Sequence, residues 1–222
     1  MGMPDFTREE MVAVVKASQE LEEANLADID LSFANLHGAN LREADLSNAK
    51  LNNADLSEAN LRKADLSNAD LQRANLRWAV LYKAILRGAD LHKADLHEAN
   101  LRGANLYKAD LRRANLYKAD LRTTNLQGAD LTLAHLHRAK LQYANLRGAN
   151  LREANLKLAH MYKADLRDAD LIWANLRGAN LREVNLRFAD LSDADLRDAK
   201  YDKDTKFPEG FNPEAAGMVL KE

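Results

Sequence analysis

Leucine returns at every fifth position from Leu26 to Leu196 with no insertion or deletion, replaced once by Met161, and the series closes on Tyr201. Two residues before each of these thirty-six positions stands Ala in thirty-three units, the exceptions being Ile29, Thr124 and Val184. A period of five fits neither the winding of an α-helix nor the alternation of a flat strand. Such apolar positions share one core only if the chain turns after every unit. Four units then close a square coil, and Leu26, Leu46, Leu66 and Leu106 fall in one column with rungs about 4.8 Å apart. Nine coils make a rod of roughly 43 Å at that spacing.

Glycine supports the same winding independently. Gly38, Gly88, Gly103, Gly128, Gly148 and Gly178, which are all the glycines inside the array, stand two residues after the Leu. That slot suits a turn residue of positive φ, and Asn48, Asn53 and Asn68 share it. The Asp or Asn before most leucines is short enough to bond neighbouring backbone groups at the corners.

The runs Ala39-Asn40-Leu41-Arg42-Glu43, Ala64-Asp65-Leu66-Ser67-Asn68 and Ala179-Asn180-Leu181-Arg182-Glu183 resemble the pentapeptide-repeat family. The resemblance covers about four-fifths of the chain. It implies an all-β solenoid, a right-handed quadrilateral β-helix of about nine coils; the handedness comes from the resemblance alone. It also suggests a cyanobacterial source. Some members of the family resemble duplex DNA in width and negative charge and regulate DNA gyrase. This chain departs from them in having no central Phe in its core columns, no loop insertion, and a solenoid surface of positive sign.

An open solenoid exposes strand edges at both ends, and both termini read as covers. Residues 1–23 form an expected capping region. Thr7 and Glu10 make a capping box flanked by Phe6 and Met11, opening a helix from about Arg8 to Glu22. Residues 24–203 carry the repeat, and residues 204–222, with Phe207, Pro208, Phe211, Pro213 and an apolar stretch from Met218 to Leu220, are expected to fold back over the last coil. A monomer or an end-to-end homodimer are the two assemblies these ends allow.

With 222 residues, a net charge of −2 and no cysteine, stability must come from packing, and any charged partner must be met by a local patch. No apolar run approaches the ~20 residues that span a bilayer, and the N-terminus lacks a signal core, so a cytoplasmic protein without a membrane partner is expected. Gly2 is followed by Phe6 where a myristoylation motif wants Ser or Thr.

Because units cycle through four faces, outward charge is assigned by counting. The face of Leu41, Leu61, Leu81 and Leu101 carries Arg42, Arg62, Lys63, Lys83, Arg102, Arg122, Lys140, Lys163, Arg182, Lys200 and Lys203 against Glu43, Asp120, Glu183 and Asp202, a net of +7. The face of Leu31, Leu51 and Leu71 is −3. Tyr82, Tyr143, His160 and Tyr162 interleave with the cations, which makes Arg42, Arg62, Lys63, Lys83, Arg102, Arg122, Lys140, Lys163 and Arg182 a candidate anion-binding or nucleic-acid-binding face. The bland alternative is a solvated face whose cations splay toward neighbouring carboxylates.

A second candidate is Trp78, Val80, Tyr82 and Ile85, expected to sit outward around one corner. Val80 and Ile85 replace the usual Asp or Asn in adjacent units, which suits a protein partner. Leu133, Ile172 and Trp173 form a weaker cluster on the acidic face, where the C-terminal tail is the expected cover. His37, His92, His97, His135, His137 and His160 all take outward slots, with no third ligand fixed beside the His135 and His137 pair. Carboxylates line convex faces, and neither a phosphate-cradling loop nor a nucleophile elbow is present. No cofactor, metal or catalytic residue is nominated. The chain reads as a non-catalytic interaction or scaffold module for an unidentified protein partner, with anion or nucleic-acid binding as the alternative and DNA mimicry less favoured.

Overall fold

The computed structural model describes residues 21–221. Parallel bridges join each residue before a Leu to its counterpart twenty positions on, from Asn25 with Asp45 through Asn180 with Lys200. The coil is therefore four units, as the spacing requires, and the five-residue repeat position lies inside throughout from Leu26 to Leu186, with the residue two before it buried in every unit but that of Ile29. Along the chain small and large inward residues alternate, while down the axis Leu stacks on Leu and Ala on Ala, which fills the core in regular columns.

The five residues of a unit divide the backbone donors completely. In the unit of Leu101, the Leu101 N–H donates to Asp120 of the next coil at 2.8 Å and the Gly103 N–H to Arg122 at 2.9 Å. The Ala104 N–H closes the turn on the Leu101 carbonyl, and the Asn105 N–H reaches back to Ala84. One donor is left, that of Arg102, and the Asn100 side chain accepts it at 3.2 Å. A short side-chain acceptor is thus required before each Leu because the winding leaves one N–H per unit without a main-chain partner. Several of these side chains also form ladders along the axis, as where Asn115 donates to Asp95 at 2.9 Å and Asn60 to Asn40 at 3.1 Å.

Every corner from Glu23 to Asp198 has positive φ, whether or not it holds glycine. Glycine therefore marks the slot without being needed in it; even Trp78 and the β-branched Thr123 take φ 57 there. The left-handed conformation disfavours such residues, and the three inter-coil bonds and one turn bond of each unit hold it in place.

The winding is already regular at Leu21, whose N–H donates to Asn40 while that of Glu23 donates to Arg42. Leu21 is buried and Glu22 and Glu23 sit at a corner, so the helix expected over 8–22 does not include them; its remaining residues lie outside the described part. At the other end the rhythm slips by one residue, and Lys206 instead of residue 205 bridges Asn185. Strand β1 (Lys200–Tyr201) then pairs in parallel with β2 (Val219–Leu220). Phe207 packs edge-on against Tyr201 with centroids 5.6 Å apart and stacks on Phe211 at 5.2 Å, so the tail lays its apolar side chains against the end of the core.

Candidate functional site

The basic face is less exposed as a charge than counting suggests. Glu22 and Glu23 belong to it, lowering its net from +7 to +5. Arg42 pairs with Glu22 and with Glu43 at 2.7 Å, Lys63 with Glu43 at 2.8 Å, Arg122 with Asp120 at 2.5 Å and Lys163 with Glu183 at 3.2 Å. Lys163, bonded to Tyr162 and Glu183, is raised above the ordinary lysine value. Arg62 and Lys83 lie over the Tyr82 ring at 5.0 and 5.4 Å, and Arg182 over Tyr162 at 5.9 Å. Of the nine candidate cations, only Arg102 and Lys140 make neither an ion pair nor a ring contact among the described residues.

Trp78, Val80, Tyr82 and Ile85 fall within one coil, but they do not gather at one corner. Positive φ at Trp78 and at Lys83 marks two successive corners, so Val80 sits in the middle of the basic face and Ile85 on the next face. Trp78 is 46% exposed and Ile85 37%. Both Val80 and Ile85 lack the oxygen that the winding calls for, and the N–H groups of Tyr82 and Arg87 have no acceptor among the described residues. Cations border the strip: Arg77 lies 4.7 Å from the Trp78 ring centre, and Arg62 and Lys83 cover Tyr82.

Trp78 also begins a run of rings that the sequence reading missed. It meets His97 edge-on at 6.1 Å; His97 stacks on Tyr117 at 5.1 Å, and Tyr117 on His137 at 5.5 Å with planes 3° apart. The signal was available, because His97, Tyr117 and His137 are spaced by one whole coil. His97 and His137 are therefore half-buried stacking partners, not solvated side chains. Burial first, then Arg138 and Lys157, hold the His137 pKa below the usual histidine value.

The cluster on the acidic face stays uncovered by the tail. Trp173 is 56% exposed, donates to Asp193 at 3.0 Å and lies under Arg152 at 6.0 Å. Leu133 is two coils away in the same corner column, with Glu153 between them. Among the described residues no group of three or more His, Asp or Glu side chains could hold a metal ion, and no helix is long and apolar enough to cross a membrane. Among the described residues a shallow corner notch of about 380 Å³ lies beside Gly88, between Asn68, Arg87 and Tyr107.

A family model described as Pentapeptide repeats matches the chain in eight copies, over residues 24–62, 59–97, 89–128, 129–168 and 164–200. Proteins of that family form right-handed quadrilateral β-helices, the four-sided winding described above. No curated protein matches. Among solved structures, HetL of the cyanobacterium Nostoc sp. strain PCC 7120, a pentapeptide repeat protein involved in heterocyst differentiation regulation, is 39% identical, with 88% of this chain and 97% of that one covered and a TM-score of 0.41. The pentapeptide repeat protein alr5209 of Nostoc PCC 7120 is 41% identical over 50% of this chain and 84% of its own, with a TM-score of 0.28. QnrB1, a plasmid-mediated fluoroquinolone resistance protein, is 18% identical over 91% of each chain, with a TM-score of 0.48.

Proposed function

The chain belongs to the pentapeptide-repeat family, and from that premise we propose that it is a non-catalytic, cytoplasmic interaction module that docks a protein partner through the strip of Trp78, Val80, Tyr82 and Ile85. One observation carries the reading. At Val80 and Ile85 two successive units forgo the side-chain oxygen that satisfies the turn, a sacrifice of about 0.5–1.5 kcal/mol each in hydrogen bonding, and place apolar groups outward instead. Both side chains remain partly in solvent, so the apolar surface they add is only partly used inside the protein. Aromatic and aliphatic groups ringed by Arg62, Arg77, Lys83 and Arg87 suit a partner that offers an apolar contact bordered by carboxylates.

The pairing of Arg42, Lys63, Arg122 and Lys163 with carboxylates disfavours a continuous track for nucleic acid along the whole face. A surface of positive sign likewise disfavours DNA mimicry. To test the reading, affinity capture with the wild-type protein is compared with Trp78→Ser/Ile85→Ser and with Arg42→Gln/Lys63→Gln. A protein retained by the wild type and by the charge variant, but lost with the apolar variant, supports docking at the strip. Retention by the apolar variant with an unchanged melting temperature sinks it.

A further inference from the structure

Seven of the thirty-six units lack Asp or Asn before the core residue, namely those of Lys50, Val80, Ile85, His135, Lys140, His160 and Lys200. Four of the seven share one column on the basic face, and three of those are the cations Lys140 and Lys200 and the imidazole of His160. Asn180 is the single intervening residue of that stretch. The column thus changes character along the axis: Asn40, Asn60 and Asn100 at one end, a basic series at the other.

Beside this basic stretch runs the corner column of Arg138, Leu158 and Gly178. The missing side chain at Gly178 leaves a notch of about 310 Å³, lined by Arg138, Leu158, Gly178, His160, Asn180 and Lys200 together with Ala159. Four of these side chains end in hydrogen-bond donors, and no carboxylate lines the notch. Arg138, Lys140, His160 and Lys200 make no ion pair or ring contact among the described residues, in contrast to the cations of Arg42 to Lys83. A Cβ built on Gly178 would come within 2.8 Å of the Leu158 side chain, so Leu158 forms the wall against which the notch is shaped.

From this geometry we infer a binding site for a compact phosphate dianion, either inorganic phosphate or a phosphomonoester, held by Arg138, His160, Asn180 and Lys200. Arg138 and Lys200 stand on rungs three coils apart, about 14 Å along the axis, so their mutual repulsion in water is small, and an anion seated between their long side chains is attracted to both. Arg presents a planar fork to phosphate oxygens while Lys acts as a mobile point charge, so the pair suits a dianion better than a single carboxylate. The site is compact because acids bracket it: Glu98 and Asp120 stand toward the N-terminus and Asp198 one coil beyond Gly178. Between those bounds the groove spans about three rungs, roughly 15 Å. A long polyanion would meet the bracketing carboxylates; a phosphate group does not. The inference is independent of docking at Trp78, which lies three coils away.

The test is a titration followed by phosphorus NMR at fixed ionic strength, with chloride as the balancing ion. Inorganic phosphate should bind saturably, one per chain, in the millimolar range. Arg138→Gln/Lys200→Gln should weaken it by about tenfold or more, and His160→Asn by a smaller factor, each with an unchanged melting temperature. A control, Arg62→Gln/Lys83→Gln, removes the same charge from the other end of the face and should leave affinity within about twofold. Methyl phosphate run in parallel separates the two sources: tighter binding of the ester assigns a phosphomonoester, and tighter binding of the free ion assigns inorganic phosphate. Equal weakening by the control, or no saturable binding of either anion, overturns the site.

Discussion

The coil from Leu96 to Asn115 and the stretch from Phe188 to Leu196 are made of the same five-residue unit, yet they solve different problems. In the middle coil all twenty backbone N–H groups have acceptors within the protein, sixteen of them main-chain carbonyls and four the oxygens of Asp95, Asn100, Asn105 and Asp110. At the end, the N–H groups of Phe188, Leu191, Asp193 and Leu196 find none among the described residues, because no further coil lies above them. The tail covers the basic side of this end through β2 and the Phe207 to Phe211 stack, and leaves the side of Leu191 partly open. The repeat is therefore complete only when it has neighbours, and its stability is a property of adjacent coils.

One charge placed in each region separates them by the largest effect. Leu116→Asp puts a carboxylate where the side chain is wholly buried between coils and no cation can reach it. The lost transfer energy and the unpaired charge together should exceed about 4 kcal/mol. Leu191→Asp, at the partly open end, should cost about 1–2 kcal/mol. Urea unfolding followed by circular dichroism checks both, and equal losses would mean that the end is as tightly enclosed as the middle.

That contrast also explains what was legible beforehand. The period of five placed the core columns, the corners and the outward charge of each face, because a unit without insertions admits one register. The details that escaped need distances. Stacking of His97, Tyr117 and His137 depends on which side chains one coil apart lean together, and part of the neutralisation of Arg42 depends on Glu22, which looked like part of a helix. The Trp78 strip spans two corners, at Trp78 and Lys83, both in the slot two residues after a Leu; the period separates them, and the shared apolar character of Val80 and Ile85 drew them together.

A smaller effect sharpens the role of the residue before each Leu. Asn150 accepts the Arg152 N–H at 3.2 Å, so Asn150→Ala should lower stability by about 1 kcal/mol. Lys140→Asn goes the other way, because it supplies the Gln142 N–H with the acceptor it lacks, and should raise stability by about 0.5–1 kcal/mol. A loss at Lys140 would show that the outward cation stabilises its own coil by more than the missing hydrogen bond costs it. Chemical denaturation of the two single variants decides this.

The smallest expected effect concerns acid, and it returns to the end of the rod. The Arg197 guanidinium bonds both oxygens of Asp195 and holds its pKa down to about 2, against the opposing effect of burial and with help from the Arg197 N–H. In the unfolded chain the group titrates near the ordinary aspartate value of about 3.9. A depressed folded pKa means that the stabilisation is fully present above about pH 4 and disappears as the pH falls toward 2. Because Asp195 is partly exposed and its Arg197 partner largely so, that contribution is small. Asp195→Asn keeps an oxygen for the Arg197 N–H but not the charge, so it should lower stability slightly above about pH 4, match the wild type near pH 2, and flatten part of the decline between them. If the variant declines as steeply as the wild type over that interval, the acid sensitivity belongs to the enclosed coils, where Asp165 and Asp120 make the same contacts with Arg167 and Arg122.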